Sequence, residues 1–413
     1  MRLAARLNYD TTMSLSSAVA EPPLARSWNL RGLSVISFAH GVSDFYSGIV
    51  PFAIFLVLSH DRVSPGYQGA FVFLWYLTSS IVQPFFGAYT DRYGRWWFLP
   101  SAVALTAISI SVAGATSSLL LLGACIVVGG FGSAIMHPEA GKYSAMLSGA
   151  RRAGGISIFQ IGGQVGYALG PAAIALAYAR FGSEGSLLLL IPGAVAIAAL
   201  FAVMRRLDHS ASTAHATAAP HANANAPADR TGIALLVAGT SLRYFVSAAF
   251  MTYLPNLLVA RGDSIPEAGQ VVSIFLFVAS FGLFAGGSLS DRFGAVRVSI
   301  GSLVAAVPFL FAFFALHGVL AVIALCAASV LLAVQNAPAV ALVQAMLPKN
   351  LGMALGLMNG VAFGAGSAMV AAVGAVVAHA GAAVALEFVS AAPLLAALTY
   401  VAVAPRAVPS ATP

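Results

Sequence analysis

The sequence predicts an all-α membrane protein whose twelve transmembrane helices form two pseudo-repeated six-helix bundles. Three observations carry that prediction. The 413 residues are 60% hydrophobic and only 8% charged, whereas about 25% of a soluble domain is charged. A helix crossing a bilayer needs about 20 mostly apolar residues, and such runs fall near residues 32–58, 67–88, 96–115, 118–141, 153–179, 185–205, 232–259, 267–288, 295–316, 318–346, 351–378 and 383–404. The third is an internal repeat at an offset of 200. Gly87, Asp91, Arg92 and Gly94 recur as Gly287, Asp291, Arg292 and Gly294; Pro138 recurs as Pro338, and Ala145-Met146-Leu147 as Ala345-Met346-Leu347.

The expected organisation is a cytoplasmic tail (1–31), a first six-helix bundle (32–205), a cytoplasmic linker (206–231), a second bundle (232–404) and a short tail (405–413). No apolar core precedes Trp28, so the tail does not read as a cleavable signal. The linker is rich in Ala, Asn, His and Pro and reads as a low-complexity tether; nothing fixes the geometry of His209, His215 and His221 for a metal. The net charge of +7 points away from nucleic acid because of where it lies. With the N-terminus inside, Arg2, Arg6, Arg26, Arg31, Arg92, Arg95, Arg151, Arg152, Arg205, Arg206, Arg230, Arg292, Arg297, Lys349 and Arg406 share one side, against Arg62, Arg180 and Arg261 on the other. That is the positive-inside bias, with both termini cytoplasmic.

In the first span, Asp44 follows His40 by one helical turn, so the two share a face. An intramembrane acid beside a histidine suits a proton relay; a structural pair locking the span is the alternative. Between spans 2 and 3 lies Gly87-Ala-Tyr-Thr-Asp91-Arg92-Tyr-Gly94-Arg95, with a second copy from Gly287 to Arg297 in which Ala295 stands opposite Arg95. This repeated stretch resembles the signature loop of the major facilitator superfamily. The resemblance implies two six-helix bundles around a midplane cavity, rocking between inward-open and outward-open states, with the loop serving the conformational change.

Span 4 ends in His137-Pro138-Glu139-Ala-Gly-Lys142. Pro138 removes one helical hydrogen bond, and charges in lipid need a reason. Glu139 and Lys142 are spaced to pair, or Lys142 snorkels to the surface. His137 lies roughly 200° around the helix from Glu139 and faces another neighbour. Span 5 carries Gln160 and Gln164 on one face, then Gly166 and Gly170-Pro171. Its Gly-Pro pattern resembles the span-5 motif of the superfamily's exporters; generic close helix packing is the alternative. In span 7, Arg243 needs a carboxylate, a carbonyl cluster or an anionic ligand, and its planar fork suits phosphate and phosphonate oxygens. A salt bridge to Asp44 or Glu139 is the competing explanation. Span 10 adds Gln335, Asn336 and Gln344 around Pro338, and span 11 adds Asn359, as cavity polar groups. Glu387 is peripheral, and Cys125 and Cys326 read as small packing residues.

Taken together, His40 with Asp44, Met136-His137-Pro138-Glu139, Ser157-Ile-Phe-Gln160-Ile-Gly-Gly163 through Gly170-Pro171, and Leu347-Pro348, Gly352-Met353 and Ala362-Phe363-Gly364 resemble the fosmidomycin resistance protein family. The Ala140-Gly141-Lys142 tail departs from that family's serine- and arginine-containing run. The resemblance implies a multi-pass protein of the bacterial inner membrane that exports antibiotics against inward proton flow. The residue reading above sets the site expectations: His40, Asp44, His137 and Glu139 for protons, and Arg243, Gln160, Gln164, Gln335, Asn336 and Asn359 for substrate. The expected partners are a small molecule, protons and lipid, with the chain acting as a monomer, and no cofactor, metal or nucleic acid. No nucleotide loop, metal-ligand spacing or soluble catalytic pair is present, so an enzyme is not expected. The rivals are a proton-symport importer of an organic anion or sugar, and a non-transporting sensor of the same fold.

Overall fold

The computed structural model describes residues 29–149, 151–211, 229–347 and 351–407. Every regular element among them is helical, and ten stretches are long and apolar enough to cross a membrane. In chain order the α-helices are α1 (Leu30–His60), α2 (Tyr67–Tyr76), α3 (Gln83–Tyr93), α4 (Phe98–Ala115), α5 (Leu119–Leu147), α6 (Arg152–Phe181), α7 (Leu190–Ala211), α8 (Arg230–Ala260), α9 (Ile265–Phe293), α10 (Ala295–Ala315), α11 (Gly318–Val334), α12 (Asn336–Met346), α13 (Leu351–Gly356), α14 (Phe363–Ser390) and α15 (Ala392–Ala407). Short π-helical stretches, Leu77–Ile81 and Leu357–Ala362, lead into α3 and α14. Most of the expected linker, and most of both tails, lie outside the described residues.

The local causes repeat as the sequence does. Asn29 caps α1 by accepting the Gly32 N–H at 2.9 Å, and Asp229 caps α8 by accepting the Gly232 N–H at 2.9 Å. Gly94 and Gly294 end α3 and α9, each donating its N–H at 2.8 Å, to the carbonyls of Thr90 and Ser290. Arg92 lies over the Tyr93 ring at 5.3 Å, and Arg292 over the Phe293 ring at 5.1 Å. Gly381 has φ 84°, a left-handed conformation that side chains resist, and it breaks α14 into two helical pieces. Pro138 and Pro171 sit inside continuous helices. Pro338 instead lies in the first turn of α12, where a missing N–H costs no helical bond.

Packing is tightest between α1 and α6 and, in the second half, between α8 and α14. A Cβ at Gly166 would fall 1.7 Å from the Gly41 carbonyl oxygen, and one at Gly366 would fall 2.6 Å from that of Ser241. Gly170 meets the Phe45 carbonyl in the same way. Small residues thus let these backbones touch, as packing in lipid favours. Leu120, Val319 and Phe388 are among the large apolar side chains left exposed, which suits hydrocarbon contact.

The two halves meet through α6 with α9 and α2 with α14. Ser273 Oγ accepts the Ala172 N–H at 2.9 Å. The Tyr253 hydroxyl accepts the Gly69 N–H at 3.1 Å and donates to the Val370 carbonyl at 3.3 Å. These contacts lie toward the end of the molecule where α1 finishes.

Candidate functional site

Two polar clusters occupy the helix interior, one in each half. The first is built by α1, α5 and α6. His40 and Asp44 are one turn apart on α1, and His137 comes from α5. His40 Nε2 lies 3.2 Å from Asp44 Oδ2, and His137 Nε2 lies 3.1 Å from Asp44 Oδ1. The far nitrogen of each ring is tied to a carbonyl: His40 Nδ1 to Phe159 O and His137 Nδ1 to Ser133 O, both at 2.8 Å. His40 also stacks on Phe159, ring centroids 3.9 Å apart. Gly163 makes this possible, because a Cβ there would fall 2.4 Å from His40 Cε1 and 2.7 Å from Asp44 Oδ2. The Asp44 and His137 side chains keep 17% and 29% of their surface, so the cluster is reachable. Its donor atoms lie within 4.8 Å of one another, close enough to share a cation, but the bonds just described account for the arrangement without one.

The second cluster surrounds Arg243 on α8, which is 5% exposed. Its Nε donates to Gln335 Oε1 at 3.2 Å, and its Nη2 donates to Asn336 Oδ1. The Tyr244 ring centroid lies 3.8 Å from the Arg243 Cζ, and the Tyr244 hydroxyl donates to Asn336 Oδ1 at 3.1 Å. Gln335 donates in turn to Thr240 Oγ1 and to the Tyr400 hydroxyl. All these partners are neutral. Among the described residues no carboxylate pairs with Arg243, so the alternative salt bridge to Asp44 or Glu139 does not form in this conformation. Burying an uncompensated ion costs several kcal/mol. The dipoles around Arg243 offset part of that, and an anion would offset more.

Aromatic side chains connect the clusters. Phe363 meets Tyr244 edge-on at 4.6 Å and Tyr76 at 4.7 Å. The Tyr76 hydroxyl is 3.3 Å from that of Tyr167, which donates to Met251 Sδ at 3.0 Å.

Glu139 stands apart from the histidines. Lys142 donates to Glu139 Oε2 and to Thr90 Oγ1, both at 2.9 Å, so Lys142 pairs and ties α5 to α3. A Cβ at Gly94 would lie 3.2 Å from Glu139 Oε1, and one at Gly87 would lie 3.5 Å from Pro138. At Gly287 and Gly294 nothing comes within 4 Å. Arg92, Arg95, Asp291 and Arg292 are exposed, as are Gln160 and Glu387, while Gln164 is half-buried. The side chains of Asp91 and Asn359 lie outside the described residues. Cys125 and Cys326 are unpaired. Sequence reasoning missed Thr240, Tyr244 and Tyr400, and it noted Phe363 only within the Ala362-Phe363-Gly364 resemblance, without a role at the site. The repeat itself held a signal for two of them, since Thr240 and Tyr244 stand at the offset of His40 and Asp44.

The Major Facilitator Superfamily model matches residues 36–234 and 236–413. The chain is 30% identical over 380 residues to the fosmidomycin resistance protein of Escherichia coli, covering 89% of this chain and 91% of that one. It is also 30% identical to the MFS-type transporter YfnC of Bacillus subtilis, covering 84% and 87%. Among solved structures it resembles a variant of the nucleoside transporter NupG, with TM-score 0.75, 13% identity, and 91% and 100% covered. It also resembles a bacterial homologue of the lysosomal transporter Spinster, with TM-score 0.70, 18% identity, and 95% and 100% covered.

Proposed function

We propose, from the premise that this chain belongs to the major facilitator superfamily, that it is a proton-coupled exporter of small anionic molecules such as phosphonate antibiotics. Membership makes it a multi-pass membrane transporter rather than an enzyme. The single observation carrying the finer reading is the split between its halves. An acid–histidine cluster able to bind protons sits on α1 and α5, and a buried guanidinium without a carboxylate partner sits on α8.

In this reading Arg243, Asn336 and Tyr244 hold the anionic group, with Gln335 orienting the guanidinium. Gln160 and Gln164 add polar groups to the substrate path, and Asp44 with its two histidines exchanges protons. Glu139 is left to its pair with Lys142, outside the proton path, where it steadies the lysine that ties α5 to Thr90 of α3. The chain crosses the membrane twelve times: Arg152–Phe181 joins the ten stretches, and the 46-residue stretch Gly360–Pro405 counts twice because Gly381 breaks it. Both termini lie in the cytoplasm of a bacterial inner membrane, and the monomer is the working unit. The contacts of Tyr253 with Gly69 and Val370 then close the outer face of an inward-facing state.

A second reading, symport import of an organic anion, is favoured by one point of electrostatics. Protons gained at Asp44 add positive charge to a cavity that already holds Arg243, which attracts an anion rather than expelling it. Inverted vesicles decide between them. Export coupled to proton entry predicts that an inside-acid gradient drives phosphonate into the vesicle lumen and that an uncoupler stops it. Accumulation that survives the uncoupler removes the coupled reading, and accumulation only with an inside-alkaline gradient establishes symport.

A further inference from the structure

Hydrogen-bond direction fixes how many protons the His40–Asp44–His137 cluster holds. A carbonyl oxygen only accepts. Phe159 O and Ser133 O, each 2.8 Å from a ring Nδ1, therefore take an N–H from His40 and from His137. Nε2 of each ring is left facing Asp44, at 3.2 and 3.1 Å. A neutral ring protonated at Nδ1 presents a bare lone pair at Nε2. Two acceptors at that distance repel, so each contact holds only with a proton between nitrogen and oxygen. There are two contacts, on different oxygens of one carboxylate. The bonded cluster thus contains two protons besides those on Nδ1. Its net charge is +1 wherever along the two contacts they sit, zero after one leaves and −1 after both leave.

The two contacts are not equivalent. His40 is held by the Phe159 carbonyl, by stacking on the Phe159 ring, and by the close backbone at Gly163. Its side chain is 5% exposed. His137 has one backbone bond, to its own helix, and keeps 29% of its side-chain surface. The other titratable group that interacts with Asp44 is Tyr167 of α6; among the described residues no lysine, arginine or second carboxylate does so.

We infer that this cluster carries two protons when fully bonded, and that His137 is the group through which they enter and leave, with His40 as the inner partner. The use of those protons in transport rests on the proton-coupled reading above; the count does not. A cycle that loads and empties both contacts moves two protons per substrate.

The test compares purified wild-type protein with His137→Gln. Glutamine can donate an amide N–H to Asp44 and cannot titrate. Protons taken up between about pH 9 and about pH 5, a range that brackets histidine, are counted with an indicator dye. The expected result is one proton fewer in His137→Gln and one fewer again when His40→Gln is added. In proteoliposomes proton-driven transport should slow markedly in His137→Gln, because the proton left between His40 and Asp44 has lost the group through which it enters and leaves; transport at the wild-type rate would show that His40 exchanges its proton directly and would overturn the gating role. Unchanged uptake in His137→Gln overturns the inference. Should the double variant fail to fold, nitrogen NMR of the wild-type histidine rings replaces it. Protons at both Nε2···Asp44 contacts near about pH 6 are expected, and a bare Nε2 facing an ionised Asp44 in either ring overturns the count. Protein that takes up both protons yet moves none with substrate keeps the count and removes the transport reading.

Discussion

Laid over one another at the offset of 200, the two halves share a scaffold and differ in chemistry. The caps at Asn29 and Asp229, the helix ends at Gly94 and Gly294, and the close crossings at Gly166 and Gly366 correspond. The side chains facing the interior do not. His40 stands opposite Thr240, Ser43 opposite Arg243, Asp44 opposite Tyr244, and Gly163 opposite Phe363. In the first half a glycine makes room for a histidine and a carboxylate. In the second a phenylalanine fills that place and packs on the tyrosine beside a guanidinium. The repeat preserves these caps, helix ends and close crossings and changes the polar side chains, an acid with two histidines in one half and a guanidinium among neutral groups in the other.

The largest expected effect comes from erasing the first half's chemistry. Asp44→Asn keeps the shape and cannot ionise, so gradient-driven accumulation should fall to the level of protein-free vesicles. Arg243→Gln should weaken anion binding by about 2–5 kcal/mol, the usual cost of removing one member of a buried charged contact. Calorimetry with a phosphonate and with a neutral drug checks this, because only the anion should lose affinity. Arg243 has no carboxylate partner here, so ligand-free Arg243→Gln should melt no lower than wild type; a lower melting temperature would reveal a structural cation instead. Arg243→Lys keeps charge without the fork and should fall between the two.

Gly163→Ala tests the difference in packing. The new methyl must displace His40 or Asp44, at a cost of about 1–3 kcal/mol, and should blunt driven export while leaving anion binding intact. Equal loss of both would break the division between halves. The smallest effect is expected from Glu139→Gln. Its partner Lys142 is partly exposed and retains Thr90, so stability should change by about 1 kcal/mol or less and driven transport should persist. Loss of pumping in Glu139→Gln would move the proton site along α5.

Legibility followed what each feature depends on. An all-helical chain with many spans was readable because lipid demands long apolar runs, and ten of the described stretches meet that demand. The meeting of His40 with Asp44 was readable because it is local to one helix. That His137 and Glu139, two residues apart, face different neighbours was readable from helical angle, yet both were expected to serve protons, and only the pairing of Glu139 with Lys142 separates them. That His137 reaches Asp44 was not, since α1 and α5 are brought together only by the glycine-lined packing of α1, α5 and α6. The neutral cage of Arg243 was hidden for the same reason: Gln335 was visible as a polar residue in an apolar run, whereas Tyr400 looked like an ordinary aromatic. The break at Gly381 falls in the gap expected between the spans 351–378 and 383–404, whereas the two π-helical stretches left no signal that hydropathy reports.

One experiment tests the division most directly. Asp44→Asn and Arg243→Gln are compared in proteoliposomes for downhill phosphonate exchange and for accumulation driven by a pH gradient. The account predicts that Asp44→Asn exchanges but does not accumulate, and that Arg243→Gln does neither. Accumulation of phosphonate against its own gradient by Asp44→Asn would contradict it.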